Sequence, residues 1–204
     1  ADVHDESVVV DKSLTIVALP GATWTPSTGT QAIQVNGALS FTLDGVTITS
    51  TVANRRAISL FDPGTTLTIL NCAFDTFSTF DGGALNANDP AAITISDTTF
   101  TGSAGDERAN NGGAIYVESN GGAPVALTDV TFDHVEAGDD GGAIFADGVD
   151  LTCTRCRFDN TKGSTGGAIN ATGGSLAVTD SLFCSTEGTV AGAIYGDSDA
   201  TLVA

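Results

Sequence analysis

Along the chain, short runs alternate apolar and polar residues with a period of two, and no window carries a sustained helical period of 3.6. The alternation takes the form L-x-I at Leu14/Ile16, Phe41/Leu43, Leu67/Ile69, Ile93/Ile95, Val125/Leu127, Leu151/Cys153, Leu176/Val178 and Leu202/Ala204, with first members 27, 26, 26, 32, 26, 25 and 26 residues apart. Between the members stand Thr15, Thr42, Thr68, Thr94 and Thr152, which a strand places on the opposite, outward face. Five residues beyond each second member, past a predicted bend, comes a large apolar residue: Ile48, Phe74, Phe100, Phe132, Phe158 and Phe183. Five of the ten phenylalanines thus fall in one column, the pattern of an aromatic stack inside a repeat rather than of a scattered core.

A second phrase marks the same period. Gly82-Gly83-Ala84-Leu85 recurs as Gly112-Gly113-Ala114-Ile115, Gly141-Gly142-Ala143-Ile144, Gly166-Gly167-Ala168-Ile169 and Ala191-Gly192-Ala193-Ile194, with degenerate copies ending at Ile33 and Ile58. Successive copies end 25, 27, 30, 29, 25 and 25 residues apart, too short for a propeller blade and right for one coil of a solenoid. The glycine pairs suit corners at which a Cβ would collide between stacked coils or at which φ is positive. Turn residues follow each copy, among them Asn36-Gly37, Asp62-Pro63-Gly64, Asn120-Gly121 and Asp147-Gly148. The expectation is an all-β fold, a single-stranded right-handed parallel β-helix of about seven to eight coils. At about 4.8 Å per coil it is a rod roughly 35 Å long. It forms one domain over residues 1–204, with residues 1–13 an N-terminal arm or cap and 14–204 the repeated coils. Its structural ladder is Gly83, Gly113, Gly142, Gly167 and Gly192 together with the phenylalanine column. Longer coils at about Thr101 to Asn111 and Glu118 to Ala123 bulge outward and are the first places to look for function.

Charge narrows the partners. The 204 residues carry 25 acidic and 7 basic side chains, a formal net charge of −18. A polyanion is therefore a poor partner, since counterion release needs a basic surface, and nucleic acid is excluded as a target. No apolar run approaches the about 18 residues of a membrane-spanning helix. The Asp-rich, Lys-poor surface fits an extracellular, a salt-adapted or a calcium-loaded protein, and the first residue, Ala1, suggests a processed or excised chain.

The glycine phrase, spread over residues 30 to 196, resembles the repeats of the polymorphic outer membrane protein family of autotransported bacterial adhesins and, more broadly, the pectin-lyase-like β-helix superfamily. The companion F-x-x-N motif of those adhesins departs here, because Phe158-Asp159-Asn160 has its Asn one place early. The resemblance implies an extracellular or cell-surface structural or adhesive element whose partner is a host or cell-surface receptor or a glycan. The broader superfamily implies a second class, a carbohydrate-active β-helix.

Candidate chemistry is sparse. Coil alignment sets Gly45, Asn71, Asp97, Asp129, Arg155 and Asp180 at one corner, read either as an Asp129–Arg155–Asp180 bridge between strands or as a uronate site. Asp139, Asp140, Asp147, Asp150 and Asp197 crowd the late coils and are the candidate ligands of a calcium ion, the one cofactor considered; solvated turn residues are the competing reading. The outward threonines invite comparison with ice-binding surfaces, although Val17, Asp44, Leu70, Ala126 and Ala177 interrupt them. Cys72, Cys153 and Cys156 align inward, Cys184 takes a position held elsewhere by aspartates, and Cys153–Cys156 or Cys156–Cys184 are the bridges within reach. Only His4 and His134 could serve a nucleophilic triad, so an enzyme of that type is not expected and no catalytic residue is assigned. The coil ends, with Val8 and Val10 at one and Leu202 and Ala204 at the other, present apolar side chains and open backbone edges, so self-association head to tail into a filament is a further expectation.

Overall fold

A computed structural model describes residues 3–4 (backbone only), 6–27, 29–50, 55–75, 77, 81–102 and 109–197. These form an all-β, right-handed parallel solenoid of about seven turns. Each turn has up to three strand segments in two large sheets, and the upper coils add a fourth, Lys162–Thr165 paired with Glu187–Ala191. The segment after the glycine corner climbs through Val8–Val10, Gln31–Val35, Arg56–Leu60 and Leu85–Asn88, and reaches Ile169–Thr172 and Ile194–Gly196. The L-x-I segment climbs through Leu14–Val17, Ser40–Asp44, Thr66–Leu70 and Ala92–Ser96 to Leu176–Thr179. In the two middle coils both segments merge into single bent strands, Ile115–Thr128 and Ile144–Thr154, which join the two ladders into one 13-stranded sheet. The phenylalanine segment forms a separate 8-stranded sheet from Val3–His4 and Thr23–Trp24 up to Leu182–Cys184.

The register follows the aligned columns residue for residue. Leu14 pairs with Phe41, Phe41 with Leu67, Leu67 with Ile93, Ile93 with Val125, Val125 with Leu151 and Leu151 with Leu176. Phe74, Phe100, Phe132, Phe158 and Phe183 stack with ring centroids 4.7 to 5.1 Å apart and planes within 10° of parallel. The spacing is that of neighbouring strands, so each ring lies on the next without distorting the sheet. Trp24 and Ile48 extend the column downward. The five-residue rule missed Trp24 because the first corner, Ala18 to Ala22, is three residues longer than its counterparts.

Corners are made by left-handed backbone. At the first, φ is +77° at Gly45, +52° at Asn71, +49° at Asp97, +56° at Asp129, +52° at Arg155 and +52° at Asp180. The column that aligned as an acidic one is therefore first of all a column of residues that tolerate this conformation, with Arg155 the exception. A second such corner comprises His134, Asn160 and Ser185, and the third is the first glycine of each pair. The second glycine answers to a different constraint, namely the coil above. A Cβ on Gly83 would lie 2.3 Å from the Gly113 carbonyl oxygen, on Gly113 2.3 Å from that of Gly142, on Gly142 2.0 Å from that of Gly167, and on Gly167 2.2 Å from that of Gly192. Among the described residues, Gly192 itself has nothing nearer than the Thr186 carbonyl oxygen at 4.0 Å.

Residues 8–10, expected in an arm or cap, form the first rung of the sheet through Val8↔Ile33, Val9↔Gln34 and Val10↔Val35. Val10 is buried at 2% exposure and Val8 packs partly buried against the core, because alternation sends Val9 outward and its two neighbours inward. Leu202 and Ala204 lie outside the described residues.

Candidate functional site

The interior is filled by apolar side chains, so any recognition chemistry lies on the flanks. One flank stands out. The residue after each glycine phrase alternates with the core positions, and the register stacks Gln34, Ser59, Asn86, Tyr116, Phe145, Asn170 and Tyr195 in one column, half-buried at Gln34, Tyr116, Phe145 and Tyr195 and buried at the other three. Tyr116 and Phe145 stack with centroids 5.1 Å apart and planes 6° from parallel. The Tyr116 hydroxyl donates to Glu118 Oε2 at 2.8 Å, and burial, then this carboxylate, hold the phenol well above its ordinary range. Asn86 and Asn170 flank the ring pair, both buried, and the side-chain oxygen of Asn170, Oδ1, has no hydrogen-bond partner among the described residues. Below them Arg56 donates from Nη1 to Ser59 Oγ at 3.3 Å and from Nε to the Asp81 carbonyl at 3.1 Å. Its pKa is lowered by burial, an effect opposed by Asp81. Two residues further along each strand runs a second outward column with Asn88, Glu118, Asp147 and Thr172. Tyr116 and Tyr195 sit three coils apart, as their sequence positions require. Phe145, between them, was not singled out from the sequence. Reading the residue after each phrase as a column of its own brings it out.

The five candidate calcium ligands divide between two corners. Asp139 and Asp140 stand just before a glycine corner, where their backbone amides bond to the Asn110 carbonyl at 2.7 Å and to Asn111 Oδ1 at 3.3 Å. Asp147, Asp150 and Asp197 belong to the opposite corner, and each ties one coil to another. Asp147 Oδ1 accepts from Thr172 Oγ1 at 3.0 Å, Asp150 Oδ1 from Ser175 N at 3.1 Å and Ser175 Oγ at 2.6 Å, and Asp197 Oδ2 from Gly173 N at 2.8 Å. Asp62 and Asp89 do the same in earlier coils, accepting from Gly37 N and Asn120 N at 2.8 Å each. Among the described residues no three His, Cys, Asp or Glu side chains gather closely enough to hold a metal ion. The hydrogen bonds lower the pKa of Asp89, chiefly through the Asn120 amide, and of Asp150, chiefly through the Ser175 hydroxyl.

At the left-handed corner Arg155 grips Asp129 with both ends of its fork, Nε to Oδ1 at 2.8 Å and Nη2 to Oδ2 at 2.6 Å. The pair lowers the pKa of Asp129 and raises that of Arg155, to which Asp180 adds only through-space attraction. Of the two readings of this corner, the geometry builds the tie between coils. Asn71 does the equivalent below, donating from Nδ2 to Asp44 Oδ1 at 2.9 Å.

All four cysteines are free thiols. Cys72, Cys153 and Cys156 are buried and Cys184 is half-buried. Cys72 Sγ donates to the Leu70 carbonyl at 3.1 Å, as Thr98 Oγ1 does to that of Ser96 at 2.8 Å and Ser181 Oγ to that of Thr179 at 2.9 Å. Where Cys, Thr or Ser follows the corner its side chain satisfies a corner carbonyl, whereas Val46 and Val130 hold the same position by packing alone. His134 Nδ1 lies 2.7 Å from Asp133 Oδ1 on the surface. The long coil at 101–111 falls partly outside the described residues. The other insertion appears as a register irregularity between Glu118 and Ala123.

Comparison with known proteins agrees with this architecture. Residues 31–204 match the family model of the right-handed β-helix region. The chain belongs to that family. No curated protein and no solved structure matched it.

Proposed function

We propose that the chain is an extracellular or cell-surface β-helix with a structural and adhesive role rather than a catalytic one. The observation that carries this reading is how its surface carboxylates are used. Asp62, Asp89, Asp129, Asp147, Asp150 and Asp197 each accept a hydrogen bond from a neighbouring coil. Acidic side chains that tie strands together stiffen a rod and are not poised to move protons or bind an acidic sugar. A stiff rod in turn holds its flank and its irregular coil between Glu118 and Ala123 in fixed positions for a receptor or glycan.

The carbohydrate-active reading is favoured by one feature, the Tyr116–Phe145 ring pair beside Glu118 and Asp147. The test separates the two. Beads coated with the full chain are assayed for retention on receptor-bearing cell layers and glycan surfaces, alongside a variant lacking Ser119–Gly122. The same chain is incubated with neutral and acidic polysaccharides while released sugar ends are counted. Retention that depends on the coil, without product release, supports the adhesive reading. Product release that disappears in Glu118→Gln would replace it with the catalytic one.

A further inference from the structure

Three Asn-Gly steps occur in the chain, Asn36-Gly37, Asn111-Gly112 and Asn120-Gly121. At such a step the glycine amide nitrogen can reach the asparagine side-chain carbonyl, because glycine has no Cβ to crowd the approach. The fold treats the three differently. Gly37 N donates to Asp62 Oδ2 at 2.8 Å, and Asn36 Oδ1 accepts from Gln34 Nε2 at 2.8 Å. Gly112 is buried and its N donates to the Asp140 carbonyl at 2.9 Å. Asn111 is held at both ends of its amide, Nδ2 donating to Asp81 Oδ1 at 3.0 Å and Oδ1 accepting from Asp140 N at 3.3 Å. At both steps the attacking nitrogen and the carbonyl it would attack are already engaged, so reaction there waits on local opening.

Asn120 and Gly121 are exposed and lie on the irregular coil, where the four residues Ser119 to Gly122 stand opposite the single Gly148 of the coil above and have no ladder partner there. Gly121 N donates to Ser119 Oγ at 3.2 Å, a partner two residues back that moves with it. A Cβ on Gly121 would meet nothing within 4 Å, so the space around this nitrogen is open. Asn120 is anchored to the coil below by Asp89. Its N donates to Asp89 Oδ1 at 2.8 Å, while its Nδ2 reaches Oδ2 at 3.2 Å and Oδ1 at 3.4 Å, the long end of the hydrogen-bond range.

From this contrast we propose that Asn120-Gly121 is a site of spontaneous covalent modification, at which the asparagine amide becomes a carboxylate and the tie between Asp89 and the irregular coil is undone. Gly121 N gives its proton to solvent and bonds to Asn120 Cγ, the Cγ–Nδ2 bond breaks, and the nitrogen leaves as ammonia, giving a cyclic imide. Water then opens the ring at either carbonyl. Opening at Cγ's partner, the main-chain carbonyl, leaves isoaspartate, with the backbone running through the former side chain; opening at Cγ leaves aspartate. The balance is asparagine plus water to aspartate or isoaspartate plus ammonia, with no oxidant or reductant. In both products a donor to Asp89 is replaced by a like charge beside it. The isoaspartyl product also lengthens the main chain by one carbon where Asn120 N meets Asp89. The inference stands on the surroundings of Asn120; only its consequence for recognition relies on this coil being a contact surface.

The full chain is incubated, native and in urea, in mildly alkaline buffer, which favours loss of the Gly121 amide proton. A glutamate-specific protease, cutting after Glu107, Glu118 and Glu136, then puts Asn111 and Asn120 on separate peptides, and mass spectrometry follows the exchange of NH for O at each asparagine. In the native chain Asn120 converts at least about tenfold faster than Asn36 and Asn111, whereas in urea, where no fold protects any of them, the three rates come together. Gly121→Ala, whose added methyl meets nothing within 4 Å, melts like the parent and keeps Asn120 an amide over the same time. Asn120→Asp, which builds in the carboxylate, is cut within Ser119–Gly122 about tenfold faster than the parent by a protease of broad specificity, because a bond to a charged acceptor no longer holds the coil. Equal native rates at the three steps, or a native Asn120 that stays an amide while the urea sample converts, would overturn the site. An Asn120→Asp coil cut no faster than the parent's would overturn the untying.

Discussion

Adding one methyl group at the glycine corner separates packing between coils from backbone conformation. Neither Gly142 nor Gly192 has positive φ, so alanine costs nothing intrinsic at either. At Gly142 the new Cβ would stand 2.0 Å from the Gly167 carbonyl oxygen, 2.6 Å from the Lys162 carbonyl carbon and 2.7 Å from its oxygen. All three are backbone atoms of two different segments, so the coil must lift by about 1 Å to restore ordinary contact. The lift strains the Gly142 N to Gly166 O bond of 3.0 Å and the Gly113 N to Gly142 O bond of 3.2 Å. Overpacking of this kind costs about 3 kcal/mol. For a domain of this size each kcal/mol lowers Tm by about 2 to 4 °C, giving a drop of about 6 to 12 °C for Gly142→Ala. At Gly192 the same methyl meets, among the described residues, nothing nearer than the Thr186 carbonyl oxygen at 4.0 Å, and Gly192→Ala should melt within about 2 °C of the parent or slightly above it, through loss of unfolded-state entropy. Differential scanning calorimetry of the two variants beside the parent reads the difference. Equal drops in both, or a parental Tm for Gly142→Ala, would refute the argument that stacked carbonyls, rather than the turn itself, require the second glycine.

Truncating the middle ring of the stack, Phe132→Ala, leaves a cavity between Phe100 and Phe158 and should cost about 3 to 5 kcal/mol in urea unfolding, whereas Phe61→Ala on the surface stays within about 0.5 kcal/mol. Acid should loosen the rod: Asp89, Asp129 and Asp150 have folded pKa values below the ordinary 3.8, so the stability they contribute is complete above that value and is lost as pH falls below it through the lowered folded values. Urea midpoints measured from pH 6 down to pH 2 should decline below about pH 4, with a smaller decline in Asp129→Asn; a decline of the same size in that variant would show that this carboxylate is not a contributor. A disulfide reagent applied to the native chain should label Cys184 first and the other three only with urea, since those three are buried, burial raises the pKa of Cys72, and the hydrogen bond that the Cys153 thiol donates to Cys156, then burial, raise that of Cys153, so that access and not the lowered pKa of Cys156 decides; rapid native labelling of all four would contradict the packed interior.

What the sequence determined by itself was everything that repeats. The L-x-I runs, the phenylalanine column and the glycine phrase each recur once per coil, and in a parallel ladder equal spacing becomes direct stacking, so period alone set both fold and register. The 1–13 boundary and Trp24 were lost where the period fails, at the first coil, whose corner is longer and whose rung has no glycine phrase to mark it. The rest waited on tertiary structure because corners, not strands, decide it. Residues 45, 71, 97, 129, 155 and 180 read as an acidic column in one dimension, yet their common φ near +50° to +77° shows a conformational requirement that Gly, Asn and Asp meet most readily. Whether Asp147, Asp150 and Asp197 gather or stay apart depends on which donors the adjacent coil offers within about 3 Å, and the donors proved to be Thr172, Ser175 and Gly173. The ring pair of Tyr116 and Phe145 likewise arises only when coils of unequal length are brought into register, because a 29-residue step in the chain is a single strand spacing in space.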